Sequence, residues 1–308
     1  MTTMHSLRIG TRGSRLALWQ ANWVRDQILA KYPSLTVELV IIKTQGDKIQ
    51  DRPLAEIGGK GLFIKELETA MIEQQTDLCV HSMKDVPAEL PEGLEISIIT
   101  ARERPHDALI APRAQSLDDL PKNAVVGTSS LRRASQLKAY RADLEIKSIR
   151  GNVDTRLKKV ESGEFDASIL AVAGLKRLGW EQQITQELPF SVMLPAIAQG
   201  VVGIETRSGD ETTLSYLKHM EDIDTTDCIR AERTVLAALE GNCQIPIAGF
   251  CSVEQDLLTL TALTAKLDGS LVIRHQGSAP RQQAEELGQS IAQKILDDGG
   301  REILAELN

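Results

Sequence analysis

The chain has 308 residues, enough for two or three domains of about 150 residues each, and its 42% hydrophobic and 25% charged residues exclude disorder, a collagen-like repeat and a disulfide miniprotein. With only 4 Phe, 3 Tyr and 3 Trp the core must be aliphatic, and stacking platforms for single-stranded nucleic acid are scarce. A net charge of −8 argues against a general binder of nucleic acid or of membrane surfaces.

The N-terminal MTTMHSLRIG lacks a basic stretch followed by an apolar one, and no later apolar run approaches the roughly 18 residues that span a bilayer. A cytoplasmic chain is expected. Short β-branched runs then alternate with amphipathic stretches, the pattern of βαβ units and a mostly parallel sheet. In chain order the predicted strands are 7–10, 36–43, 77–81, 94–100, 108–111, 124–127, 145–149, 167–172 and 201–205. Between them, stripes such as Leu16, Trp19, Trp23 and Ile28, or Leu62, Leu67, Ala70 and Met71, predict helices with these residues in the core.

Nine strands are too many for one sheet. Pro and Gly punctuate the pattern at 100–105 (TARERP) and 194–200 (LPAIAQG), so two sheets are predicted, with 201–205 able to rejoin the first. Beyond about residue 218 the pattern changes to a helix over 224–239, a Gly-Asn-Cys turn, an antiparallel meander over 247–252, 257–267 and 270–276, and a last helix over 282–296. The predicted division is a doubly wound domain from 1–100 plus 200–218, a second from 101–199, and a small α+β domain over 219–308.

Charge is uneven along this frame. Between Thr128 and Val160 nine Lys/Arg stand against three Asp/Glu, so that segment carries +6 and the remainder −14. A local cationic field in an acidic protein suits a small anionic ligand. Ligands of open sheets bind beyond the carboxyl ends of strands, where helix N-termini favour anions. Four polar clusters fall there: Thr11-Arg12-Gly13-Ser14; Thr128-Ser129-Ser130 before Arg132 and Arg133; Arg150-Gly151-Asn152 with Arg156 a turn later; and Gly174-Leu175-Lys176-Arg177. Any one of them could be a helix cap or a solvated charge. In series, guanidinium forks imply a ligand with several acidic groups.

The strand 77–81 runs into Ser82-Met83-Lys84-Asp85-Val86-Pro87. A carboxylate is not needed to bind an anion, so Asp85 suits stabilising a cation or moving a proton. The stretch 47–63 has no clear period and reads either as a mobile loop or as a lid carrying Lys60. Of the four cysteines, Cys79, Cys228 and Cys251 read as residues of apolar strands or a helix, whereas Cys243 has small neighbours that leave a thiol accessible. No Cys-x-x-Cys or His-x-x-x-His spacing suggests a metal.

Seven blocks, RGSRLALWQA (12–21), GGKGLF (58–63), VHSMKDVP (80–87), GTSSLRR (127–133), SIRGNVDTRL (148–157), ILAVAGLKRL (169–178) and GNCQIP (241–246), resemble the porphobilinogen deaminase (hydroxymethylbilane synthase) family in order and over nearly the whole chain. The resemblance implies two doubly wound domains like those of periplasmic binding proteins, plus a small domain carrying a cysteine. It implies a transferase of tetrapyrrole and heme biosynthesis that joins four porphobilinogen molecules head to tail, releases ammonia and yields linear hydroxymethylbilane, without a metal. It further implies a dipyrromethane primer, self-assembled and held by a thioether to Cys243, with Asp85 catalytic. Lys84, Ser82, Thr128, Ser129, Ser130, Arg132, Arg133 and Arg150 are expected around the cofactor, and Arg12, Ser14, Lys60, Arg156 and Arg177 around the substrate. A monomer without nucleic-acid or membrane partners is expected. Glu56, Arg15, Asn242 and Ala198 depart from the family pattern; none removes a catalytic group, but Glu56 bears on a second lid cation and Asn242 on the turn presenting Cys243.

Overall fold

The structure is a computed structural model that describes residues 6–48, 61–239 and 245–306. Lys60, Glu56, Asn242, Cys243 and most of the expected lid therefore lie outside the described residues. In chain order the strands are β1 (Ser6–Thr11), β2 (Thr36–Ile41), β3 (Leu78–Ser82), β4 (Leu94–Ile99), β5 (Asp107–Ile110), β6 (Val125–Gly127) and β7 (Glu145–Lys147). They continue with β8 (Ala167–Ala171), β9 (Gln186–Glu187), β10 (Val202–Arg207), β11 (Ile247–Glu254), β12 (Leu257–Ala265) and β13 (Val272–Pro280). Two compact units result. The first collects the described residues of Met1–Ile49, Gly59–Glu103 and Val201–Thr226, the second those of Arg104–Gly200 and Asp227–Asn308.

The first unit carries a five-stranded sheet in the order β2-β1-β3-β10-β4. β1 pairs parallel with β2 and β3, whereas β10 runs antiparallel to β3 and β4. Leu7, Ile9, Leu78, Val80, Ile98 and Ile204 bury one face of it under Ala21, Val24 and Ile28 of the helix Arg15–Lys31. Each fully buried aliphatic side chain here contributes about 1.5–3 kcal/mol. The face of that helix departs from the predicted stripe. Small residues, Ala17 and Ala21, approach the sheet, while Trp19 is 37% exposed and Trp23 is only partly buried at the edge of the core. A close helix-on-sheet contact has no room for an indole at every turn.

The second unit repeats the plan with the order β7-β6-β8-β5-β9. β6 is parallel to β7 and β8, and β5 is antiparallel to β8 and β9. In each sheet four strands therefore run one way, as expected of a mostly parallel sheet, and a single strand, β10 or β5, runs against them. β5 and β10 are each the first strand after a Pro/Gly-punctuated segment and enter their sheets in the opposite sense. The two-residue β9 lay below what periodicity can detect, and β7 stops at Lys147, two residues short of the predicted end. The C-terminal part forms the expected antiparallel meander β11-β12-β13. The helix Ala284–Ile295 covers it, with Ile291 and Leu287 packed against Gly277.

Candidate functional site

In the first unit β3 ends at Ser82, and a single 3-10 turn, Met83–Asp85, presents Asp85 half-buried before Pro87 forbids further helix. The turn is anchored by the Met83 amide, which donates to the Val201 carbonyl at 3.0 Å. Gly203 permits this close approach: a Cβ there would lie 2.1 Å from Met83 Sδ. Ser82 Oγ accepts from Gln20 Nε2 at 2.9 Å, which ties the strand end to the helix Arg15–Lys31. A pocket opens here, and Asp85, Ser82, Arg12, Ser14 and Gln20 are among its lining residues.

Ser14 is also the cap of that helix, its hydroxyl accepting from the Ala17 amide at 3.3 Å. Arg12 lies 4.2 Å above the centre of the Phe63 ring and donates from Nε to Asp47 Oδ2 at 3.2 Å. Burial works against the Asp47 charge, but the Arg12 guanidinium and Thr44 outweigh it and hold the carboxyl below its ordinary value. The substrate-binding guanidinium expected at Arg12 therefore already has a carboxylate partner. Asp47 itself stands in a short helix, Gln45–Lys48, where the sequence reading begins a loop. Lys84 is half-buried beside Asp85.

In the second unit the hydroxyl cluster at the end of β6 builds a helix start. Thr128 Oγ1 accepts from the Ser130 amide at 3.2 Å, and Ser130 Oγ accepts from the Arg133 amide at 3.4 Å, capping the helix Leu131–Tyr140. Ser129 Oγ donates to the Ile149 carbonyl at 2.6 Å and meets Ser148 Oγ at 2.9 Å. Arg132 and Arg133 project from the first turn of that helix to one fully buried carboxylate, Asp107 at the start of β5. Arg132 Nη1 donates to Oδ2 at 2.7 Å; Arg133 Nε and Nη2 donate to Oδ1 at 3.1 and 2.7 Å. Gln199 Nε2 adds a bond to Oδ1 at 3.1 Å. Burial opposes ionisation of Asp107, yet the two guanidinium groups hold it far below the ordinary carboxylate range.

Among the described residues one carboxylate faces these two guanidinium groups, which leaves a surplus positive charge there. Arg132 is itself pushed down, mainly by burial and, in part, by its neighbour Arg133. Arg156 extends the imbalance. Its Nε donates to the Gly151 carbonyl at 3.0 Å, and desolvation together with the charges of Arg133 and Arg150 pulls its guanidinium down to about 10. Arg177 Nη2 donates to the Gly200 carbonyl at 2.7 Å. The structure therefore brings Arg132, Arg133, Arg150 and Arg156 into one electrostatic group, with Thr128, Ser129 and Ser130 at its edge. Such a donor set fits a group bearing several carboxylates.

Sequence reasoning did not single out Asp107, Asp47 or Gln20. For Asp107 there was a signal: an acid opening the otherwise apolar Asp107-Ala-Leu-Ile strand, every residue of which is buried, requires a counter-charge. Among the described residues no group of His, Cys, Asp and Glu could hold a metal ion, and no helix is long and apolar enough to cross a membrane.

Two family models match the chain: "Porphobilinogen deaminase, dipyromethane cofactor binding domain" over residues 7–215 and "Porphobilinogen deaminase, C-terminal domain" over residues 226–297. The porphobilinogen deaminase of Geobacter metallireducens is 51% identical over 301 residues, covering 98% of this chain and 94% of its own. That of Geobacter sulfurreducens is 50% identical over 304 residues, covering 99% and 95%. Among solved structures, the methionine binding protein MetQ aligns with a TM-score of 0.43 at 14% identity, over 70% of this chain and 88% of that one.

Proposed function

The chain belongs to the porphobilinogen deaminase family, and from that premise we propose the following division of labour among its residues. The reaction joins four porphobilinogen molecules head to tail into linear hydroxymethylbilane, with loss of ammonia at each addition. The observation that carries the reading is the cation group of the second unit, where Arg132 and Arg133 share the carboxylate Asp107 and Arg156 is desolvated beside Arg133 and Arg150.

Each pyrrole brings an acetate and a propionate, so two cofactor rings and four substrate rings hold about twelve carboxylates that need paired donors. Arg132, Arg133, Arg150, Lys84 and the hydroxyls of Ser82, Thr128, Ser129 and Ser130 would hold the dipyrromethane, with Cys243 as its covalent anchor. When bound, that group supplies a pyrrole carbon on which the product is built. Arg12, Ser14, Lys60, Arg156 and Arg177 bind the carboxylates of incoming substrate. Loss of ammonia leaves a cationic methylene, and Asp85, a carboxylate held at a strand end by the Met83–Val201 bond, stabilises it. The three-domain division, with 219–308 as the domain bearing Cys243, a monomeric state and a cytoplasmic location complete the reading.

Intact-mass measurement of the purified chain tests it. Added mass equal to two linked pyrroles, absent from Cys243→Ser, together with ammonia and bilane released from porphobilinogen, is the expected result. An unmodified wild-type chain that leaves porphobilinogen intact would overturn it.

A further inference from the structure

Behind the Asp85 turn the first unit buries an acid–imidazole pair that the reading above does not use. His81 Nε2 lies 2.8 Å from Glu205 Oε2, with side chains only 4% and 1% exposed. The sheet register explains the meeting. Glu205 stands opposite Cys79, and His81 stands opposite Gly203. Residues two apart on a strand share a face, so Cys79, His81 and Glu205 lie together under the helix Lys65–Ile72. Gly203 opposite His81 brings no side chain of its own.

The surroundings decide what the pair can do. Glu68, on that helix, is buried; burial first, and then the Glu205 charge, raises its carboxyl, with His81 and Lys65 acting the other way. Burial also pushes the Cys79 thiol up. A carboxylate that accepts from Nε2–H fixes the imidazole tautomer and leaves Nδ1 with its lone pair. No hydrogen bond to His81 Nδ1 is formed among the described residues, and His81 lines the same pocket as Asp85, Ser82 and Arg12. Glu205 Oε1, for its part, is buried without a partner among the described residues. Two buried acids and an imidazole beside a pocket are an expensive way merely to join two strands.

We propose that His81, oriented by Glu205, is a further proton acceptor of the coupling reaction; this rests on the reading of the Asp85 pocket as the place of coupling. The cationic methylene carbon forms a C–C bond with the free α-carbon of a neighbouring pyrrole, using a π electron pair of that ring. The α C–H bond then breaks, its electrons restore the aromatic ring, and the proton passes to His81 Nδ1. The imidazolium formed lies against the Glu205 carboxylate and gives its proton to water before the next addition. Asp85 keeps the task of stabilising the cation, so each group has one role. Imidazole is the better matched proton acceptor near neutral pH.

His81→Gln separates this role from a structural one, because its amide can still donate to Glu205. The variant is expected to carry normal pyrrole mass, to lose about 10²-fold in kcat, and to show a larger primary isotope effect than wild type with α-deuterated porphobilinogen. A merely structural change would slow turnover without raising the isotope effect. ¹⁵N NMR of the neutral imidazole in the wild-type holoenzyme should show the His81 proton on Nε2, where Glu205 accepts it, and Nδ1 bare. Glu205→Gln should lose about tenfold in kcat with the same isotope signature, and it decides the matter together with the NMR if His81→Gln fails to fold or load. A loaded His81→Gln enzyme within threefold of wild type and with an unchanged isotope effect overturns the proposal, as does a neutral His81 that carries its proton on Nδ1. A wild-type chain without pyrrole mass or ammonia release fails at the functional reading instead, and takes the proposal with it.

Discussion

Arg133 holds Asp107 through two hydrogen bonds to one oxygen, 3.1 Å from Nε and 2.7 Å from Nη2, and leaves the other oxygen to Arg132. The cation group of the second unit is thus built around a buried anion of the protein's own. That anion fixes both guanidinium groups before any ligand arrives, which lowers the cost of ordering them on binding.

Asp107→Asn keeps the shape and removes the charge, leaving two buried cations without a counter-ion. Unfolding in urea should show a loss of about 3–5 kcal/mol, and the protein that does fold should lack pyrrole mass. A loss below about 1 kcal/mol would mean that water or the backbone already balances the pair.

The same carboxylate sets an acid dependence. Its folded value lies below its unfolded one, so the stability it contributes is complete above the ordinary carboxylate value of about 3.9 and falls away as pH drops below it. The stability difference between wild type and Asp107→Asn should therefore be constant from pH 7 to 5 and shrink below about pH 4. A difference that stays constant in acid would contradict the assignment.

Arg156 makes the opposite case. Its charge is disfavoured by desolvation and by Arg133 and Arg150, so Arg156→Met should unfold at no lower urea concentration than wild type while its KM for porphobilinogen rises. Stability sacrificed at a binding site is the expected trade. A variant that is less stable and yet fully active would assign Arg156 to the scaffold.

For Asp85 the effect is electrostatic. Asp85→Asn is nearly isosteric, should fold and load pyrroles, and should lose about 10²–10³ in kcat, the range for one preorganised stabilising group. Asp85→Glu, which keeps the charge, should exceed it. Ammonia release within tenfold of wild type by a loaded Asp85→Asn enzyme would remove the electrostatic role assigned to Asp85.

How far these features could be read beforehand depends on the range of the interaction. The nine strands of the two sheets named from periodicity all exist, because alternation and Pro/Gly punctuation are local signals. The hydroxyl caps at Ser14 and Ser130 were legible for the same reason. What stayed hidden lies far apart in sequence. Asp107 is 25 residues from Arg132, Asp47 is 35 from Arg12, and Glu205 is 124 from His81. The exposure of Trp19 is also a tertiary matter, since hydrophobicity names an apolar residue without saying how closely its helix approaches a sheet.

The strand order of the first sheet carries a consequence for biosynthesis. β10 lies between β3 and β4, and β4 has no other neighbour in its sheet. On a ribosome the first hundred residues emerge with a gap between β3 and β4, and every strand of the second sheet is made before the missing one appears. The second sheet, contiguous in sequence, is free to form while the nascent first unit waits with an open edge, a state prone to unwanted pairing. The last part of the N-terminal unit to be translated is thus the part that closes it, and a chain cut short near residue 200 would have made every strand of that unit except the one that joins β4 to the rest.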